Sequence, residues 1–203
     1  MNERAPLVVI ALELEGQGLF EQAGVSVLYT GLGKVNAALG LGRRLSALRA
    51  QGALPNLVVN FGTAGSRTFA TGSVIACRQF VQRDMDVTGL GFALGETPFE
   101  TLPATLSFPA VFEGLPEGVC GTGDRFETGA AGLACDVIDM EAYALAKASL
   151  AEDVPFACAK YISDGADHAA ADDWQASLPK AARAFWQLYQ TLLGQSEARV
   201  SVL

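Results

Sequence analysis

DVIDMEAYALAKASL (Asp136–Leu150) is the stretch whose reading decides the fold. An apolar run ends abruptly on Asp139, Met140 and Glu141, and small residues at helical spacing follow at once. A buried strand passing directly into a helix is the repeating unit of an α/β domain. A carboxylate at that junction is a poor choice for stability. It makes sense where something in a crevice has to be held.

The same alternation extends in both directions. Pro6 to Leu12 is a continuous apolar run, read as a buried strand, and it ends in Glu13, Leu14, Glu15 and Gly16. Val25 to Tyr29 leads into Gly31-Leu-Gly33, and the spacing of Val35, Ala38, Leu39, Leu45 and Leu48 predicts a helix from about Lys34 to Arg49. Asn56 to Phe61 is a second buried strand, stopping at Gly62-Thr-Ala-Gly65. Ser73 to Phe80 is another strand, followed by polar residues from Gln82 to Thr88. Pro98, Pro103, Pro109 and Pro116 reserve residues 97–117 for loops and edge structure. Gly118 to Gly121 is a short strand. Val154 to Ile162 is the last strand, ending in Ser163 and Asp164. Leu178, Ala181, Ala182, Phe185, Leu188, Tyr189 and Leu192 then trace one helical face, with Ser177 as the N-cap and Pro179 in the first turn. The expectation is a single α/β domain over residues 1–203, a central mixed sheet flanked by helices.

Composition narrows the function. Of 203 residues, 50% are hydrophobic and 18% charged, enough apolar side chains for a large core. A formal net charge of -8 argues against a nucleic-acid partner, which needs a clustered basic surface. No run of about 18 apolar residues is present, so no membrane partner is expected and a cytoplasmic location is. The four cysteines show no CxxC spacing and read as buried thiols, and a single histidine, His168, cannot build a His-rich metal site. No metal and no cofactor is expected, and catalysis would rest on carboxylates. In open α/β sheets ligands bind outside the carboxyl ends of the strands. Here those ends carry Glu13/Glu15, the glycine run 62–65, Met140/Glu141 and Ser163/Asp164. Gly31-x-Gly33 lacks the third glycine and distal acid of a dinucleotide fingerprint and reads as a plain strand-turn-helix corner.

Ala11-Leu-Glu-Leu-Glu15, Gly31-Leu-Gly-Lys-Val35, Asn60-Phe-Gly-Thr-Ala-Gly65, Asp86-Val-Thr88, Gly123-Asp-Arg-Phe126, Asp139-Met-Glu-Ala142 and Ser163-Asp164 occur in one order. That order resembles the nucleoside phosphorylase/nucleosidase family, and most closely its 5′-methylthioadenosine/S-adenosylhomocysteine nucleosidases, from about residue 7 to 190. The resemblance implies cleavage of an N-glycosidic bond, in which positive charge builds on the ribose while a purine leaves. It assigns Asp164 as the general acid to N7 of adenine, a task that calls for a buried, low-dielectric setting, with Ser163 orienting it. Glu15 would deprotonate the attacking water, with Thr63 standing where the family usually has serine, beside Ala64 and Gly65. Glu141 would accept from the ribose hydroxyls and Met140 pack on the sugar. Phe126 would stack on adenine and the Glu127 backbone read its edge. Lys160 stands where the nucleosidases usually carry an arginine near the ribose-binding glutamate. The 5′ group would meet Leu90, Phe92, Pro98 and Trp174, in part across a homodimer interface.

The acids at Glu13 and Glu15 favour water over phosphate as nucleophile. Repulsion of a phosphate charge at about 4 Å and an effective dielectric of about 20 is on the order of 4 kcal/mol. Arg43 and Arg44 fall inside a helix, away from its start. The alternatives are a phosphorylase, a nucleosidase for another 5′-modified purine nucleoside such as futalosine, and a nucleoside-binding protein without turnover.

Overall fold

The computed structural model describes residues 5–125, 132–166 and 170–200. The strands are β1 (Leu7–Ile10), β2 (Val27–Tyr29), β3 (Val58–Gly65), β4 (Val74–Gln82), β5 (Thr105–Ser107), β6 (Glu117–Thr122), β7 (Val137–Asp139) and β8 (Phe156–Asp164). The helices are α1 (Glu13–Gly16), α2 (Leu19–Gln22), α3 (Lys34–Ala50), α4 (Ala142–Ala151) and α5 (Ala170–Val200), with a 3-10 turn at Thr88–Leu90. This is the expected mixed α/β architecture.

All eight strands belong to one sheet. β1 lies between β2 and β3, parallel to both. β3 pairs with β8 in parallel and β8 with β4 antiparallel. β4 and β6 are parallel, as are β6 and β7. Gly65 of β3 meets Ile138 of β7 antiparallel. The sequence β3–β8–β4–β6–β7–β3 therefore closes on itself, and the ends of β3, β7 and β8 converge at one rim.

Alternation along the strands divides the core in two. Val9, Val58, Phe156, Cys158 and Ile162 pack with Leu41 and Leu45 of α3 and Tyr143 and Leu145 of α4. Val8, Ile10, Val59, Phe61, Ala157, Ala159 and Tyr161 pack with Phe20 and with Ala181, Phe185 and Tyr189 of α5. Phe61 and Phe185 stack with ring centroids 5.4 Å apart. Each large side chain so buried stabilises the fold by about 1.5–3 kcal/mol. Burial on both faces is why these strands read as largely apolar runs, with few polar interruptions.

Two local readings are corrected. Gly62-Thr-Ala-Gly65 does not end its strand: β3 continues through it, paired with β8 and slipping register only between Ala64 and Gly65. Small residues are needed because neighbours press close, and a Cβ built at Gly62 would lie 3.0 Å from Lys160 Nζ. The last helix begins at Ala170, so Ser177 is internal and its hydroxyl returns to the Trp174 carbonyl at 2.8 Å. Pro179 lies inside the helix and offers no N–H to the preceding turn. The earlier start carries Trp174 over the rim.

Candidate active site

At that rim Glu15 is 4% exposed, on the one-turn helix after β1. Its Oε1 accepts from the Thr63 N–H at 2.8 Å and the Thr63 hydroxyl at 2.7 Å. Its Oε2 accepts from the Leu12 N–H at 3.2 Å. The Thr63 hydroxyl accepts in turn from Trp174 Nε1 at 2.8 Å. Its proton therefore points at Glu15, and among the described residues the donors to this carboxylate are neutral.

β7 delivers the second acid group. Asp139 Oδ1 accepts from the Thr122 hydroxyl at 2.6 Å, and Oδ2 from the Ala142 N–H at 2.8 Å, which satisfies the first N–H of α4. Lys160 Nζ lies 2.8 Å from Asp139 Oδ2. Burial alone would raise the Asp139 pKa, but the Lys160 ammonium, together with the Thr122 hydroxyl and the Ala142 N–H, outweighs it and holds the carboxyl below its usual range. Burial would lower that of Lys160, and the Asp139 charge overrides it upward. Both directions describe an ionised pair.

Glu141, two residues on, accepts from the Gly33 N–H at 2.8 Å. Burial, and then the neighbouring Asp139 charge, push its pKa up to about 7. Glu141 therefore holds a proton for part of the neutral range, unlike Asp139 beside it.

β8 supplies the third group. Asp164 Oδ2 lies 2.7 Å from the Ser163 hydroxyl, and Oδ1 accepts from the Ala166 N–H at 2.9 Å. Gly65 makes room for it, since a Cβ there would come within 2.7 Å of Asp164 Oδ1. The pairing of β3 and β8 slips between Ala64 and Gly65, which turns the strand end. Ala166 adopts φ 51°, a left-handed conformation that costs about 1 kcal/mol for a non-glycine residue.

These groups face a cavity of about 260 Å³ lined by Ala11, Leu12, Glu15, Leu32, Thr63, Ala64, Gly65, Arg83, Arg125, Ile138, Asp139, Met140, Glu141, Ser163, Asp164, Ala166 and Trp174. That is near the lower end for small-molecule sites. Among the described residues no cluster of His, Cys, Asp and Glu is arranged to hold a metal ion.

Of the residues singled out from sequence, Glu15, Thr63, Ala64, Gly65, Met140, Glu141, Ser163, Asp164 and Trp174 line this cavity. Lys160 does not. It is 1% exposed and lies beneath the wall, because Asp139 draws its ammonium inward. Leu90 and Phe92 are not brought to the cavity either: Leu90 is 73% exposed on the 3-10 turn, and Phe92 packs edge-on against Phe99. Phe126, Glu127 and His168 lie outside the described residues. Gly31-x-Gly33 forms a strand-turn-helix corner between β2 and α3, and it has a further role not read from the sequence: the Gly33 N–H, just ahead of α3, donates to Glu141. The glycine just ahead of a helix was the available signal, because such peptides present free N–H groups. Arg83 was also missed. Buried among carbonyls, it donates to those of Gly123 and Arg125.

Residues 17–193 match the phosphorylase superfamily. A 5′-methylthioadenosine/S-adenosylhomocysteine nucleosidase of Haemophilus ducreyi is 30% identical over 198 residues, covering 86% of this chain and 83% of that protein. The fold superposes on the nucleosidase of the same description from Helicobacter pylori with a TM-score of 0.83 at 20% identity, covering 96% and 100% of the two chains. It also superposes on the futalosine hydrolase of Helicobacter pylori with a TM-score of 0.82 at 20% identity, covering 95% and 98%. With the match spanning most of the sequence and the carboxylates gathered at one rim, the chain belongs to the phosphorylase superfamily, the family of nucleoside phosphorylases and nucleosidases.

Proposed function

We propose that the protein hydrolyses the N-glycosidic bond of 5′-methylthioadenosine, and of S-adenosylhomocysteine, releasing adenine. The observation that carries this reading is that Glu15, Glu141 and Asp164, from three separate elements, face one cavity. Glu15 takes a proton from a water that attacks the anomeric carbon. The bond from that carbon to N9 breaks, its electron pair leaves with the purine, and Asp164 donates a proton to N7. Ser163 holds Asp164 in place at 2.7 Å. Glu141 accepts from the ribose hydroxyls, and Met140 packs against the sugar. The Thr63 hydroxyl links Trp174, in the cavity wall, to the Glu15 carboxylate. Phe126 and Glu127 take the base-stacking and base-edge roles. Water is favoured over phosphate because the Glu15 carboxylate faces the cavity and would repel an anionic nucleophile.

The protein acts as a cytoplasmic homodimer in this reading. Leu32, Val35, Leu39, Leu90 and Phe99 are large apolar side chains exposed to solvent, which a second copy would cover. Leu90 and Phe92 of one copy would then border the other copy's cavity, where the 5′ group sits. A second reading, a nucleosidase for another purine nucleoside such as futalosine, is supported by the superposition on the futalosine hydrolase.

Incubation with 5′-methylthioadenosine and with futalosine, each with and without phosphate, tests both readings. Free methylthioribose and adenine in both conditions are expected. Strict phosphate dependence would overturn hydrolysis, and cleavage of futalosine alone would transfer the assignment to the second reading.

A further inference from the structure

Glu141 has one hydrogen-bond donor among the described residues, the N–H of Gly33, at 2.8 Å. It is 7% exposed and shares its surroundings with the charges of Asp139, Lys160 and Glu15, of which Lys160 gives its ammonium to Asp139 at 2.8 Å. Its direction therefore depends on where the first turn of α3 sits. A hydrogen bond at 2.8 Å is lost with a displacement of less than about 1 Å.

That turn is tied down from outside the cavity. The next N–H, of Lys34, donates to Asp124 Oδ1 at 2.7 Å. The Lys34 ammonium reaches Asp84 Oδ1 at 2.6 Å and lies 3.9 Å from Asp124 Oδ2. Asp84 Oδ2 accepts from the Asp124 N–H at 2.9 Å. Three segments, before α3, after β4 and after β6, thus meet in one closed set of contacts. Gly33 fits it only as glycine: its φ is 91°, and a Cβ would approach Asp124 Oδ1 to 3.1 Å. The side chains of Lys34, Asp84 and Asp124 retain 19%, 31% and 44% exposure. Ion pairs this wet contribute little to global stability, so their effect is local geometry.

We infer that Lys34, Asp84 and Asp124 form a latch outside the cavity that places the Gly33 N–H and, through it, aims Glu141 at the sugar. They are positioning residues for recognition of the ribose hydroxyls. This rests on the nucleosidase reading above, in which Glu141 accepts from those hydroxyls.

The test compares 5′-methylthioadenosine with its 2′,3′-dideoxy counterpart, in the wild type, Lys34→Met and Lys34→Arg. Lys34→Met raises KM for the ribonucleoside about tenfold and changes that for the dideoxy compound by no more than about twofold, a tenfold change being about 1.4 kcal/mol. Lys34→Arg, which keeps the cation, recovers most of the loss. Equal losses on both compounds, as general damage would give, overturn the latch, and so does no loss on either. If the wild type cleaves neither compound, the nucleosidase reading fails. Calorimetric dissociation constants for the same two compounds then carry the same tenfold-against-twofold comparison for the latch. Absence of binding of either to the wild type overturns both.

Discussion

Replacing Lys160 by methionine keeps most of the side-chain volume and deletes one buried charge. Lys160 is 1% exposed and Asp139 5% exposed, with 2.8 Å between Nζ and Oδ2. At that distance and an effective dielectric of about 20, the lost attraction is on the order of 6 kcal/mol. Part is returned, because Asp139 keeps the Thr122 hydroxyl and the Ala142 N–H and no lysine has to be desolvated. Asp139 can also take up a proton, which at pH 7 costs about 1.4 kcal/mol for each of about three pH units above its unfolded pKa, or about 4 kcal/mol. The expected destabilisation at pH 7 is therefore about 3–4 kcal/mol, in line with other single deletions from buried pairs. The sign with pH follows from the two proteins. In the wild type the folded pKa of Asp139 is depressed, so its stabilisation is present above the unfolded value and lost as pH falls through the folded one. In the variant the folded pKa is raised above the unfolded value, so the folded state weakens as pH rises. The gap between the proteins must widen from pH 4 towards pH 7. Urea unfolding followed by tryptophan fluorescence at pH 5, 6 and 7 measures it. A loss below about 1 kcal/mol at pH 7, or one independent of pH, would refute the uncompensated-charge argument.

Thr63→Val removes the hydroxyl that joins Trp174 to Glu15; kcat should fall about tenfold to a hundredfold, and Thr63→Ser should restore it. Recovery by valine itself would show that the hydroxyl is dispensable. Gly65→Ala puts a Cβ within 2.7 Å of Asp164 Oδ1 and 3.1 Å of the Ala166 Cβ. Turnover should drop about a hundredfold through displacement of Asp164, and wild-type rates would contradict the close approach. Glu141→Gln tests the proton on Glu141, whose pKa rises from 4.5 to about 7 on folding. Folding then takes up a proton between those values, and wild-type stability falls as pH rises across them. The glutamine variant escapes this decline and should be the more stable protein at pH 8, by on the order of 3 kcal/mol, converging with wild type near pH 4. Parallel stability curves would count against a protonated Glu141.

Much of the fold was legible before any coordinates. Strands buried on both faces leave largely apolar runs, as in Val58–Phe61 and Phe156–Ile162, broken only at Asn60 and Lys160. α3 forms where its apolar spacing predicts a helix, but of the residues that predict it only Leu45 is buried: Val35 and Leu39 are exposed, and Ala37 and Leu41 face the core instead. Acids ending such runs are costly unless used, so Glu15, Glu141 and Asp164 stood out as one chemical set. Other features left no local mark. Gly62–Gly65 has the composition of a turn, yet β8 alongside keeps it extended as strand. Ser177 has the chemistry of a cap, but α5 begins earlier.

The amino-acid order alone determined which residues could be strand, helix and acid, because those are properties of a residue and its near neighbours. The tertiary structure decided which groups meet. Lys160 could have faced the cavity as a cation for the sugar wall, and only the approach of β7 to β8 turns it inward to Asp139. Gly33 could have been an ordinary corner, and only the return of the chain 108 residues later brings Glu141 to its N–H. Closure of β3, β8, β4, β6 and β7 into a ring sets these long-range pairings, and a buried charge settles on whichever partner that closure presents.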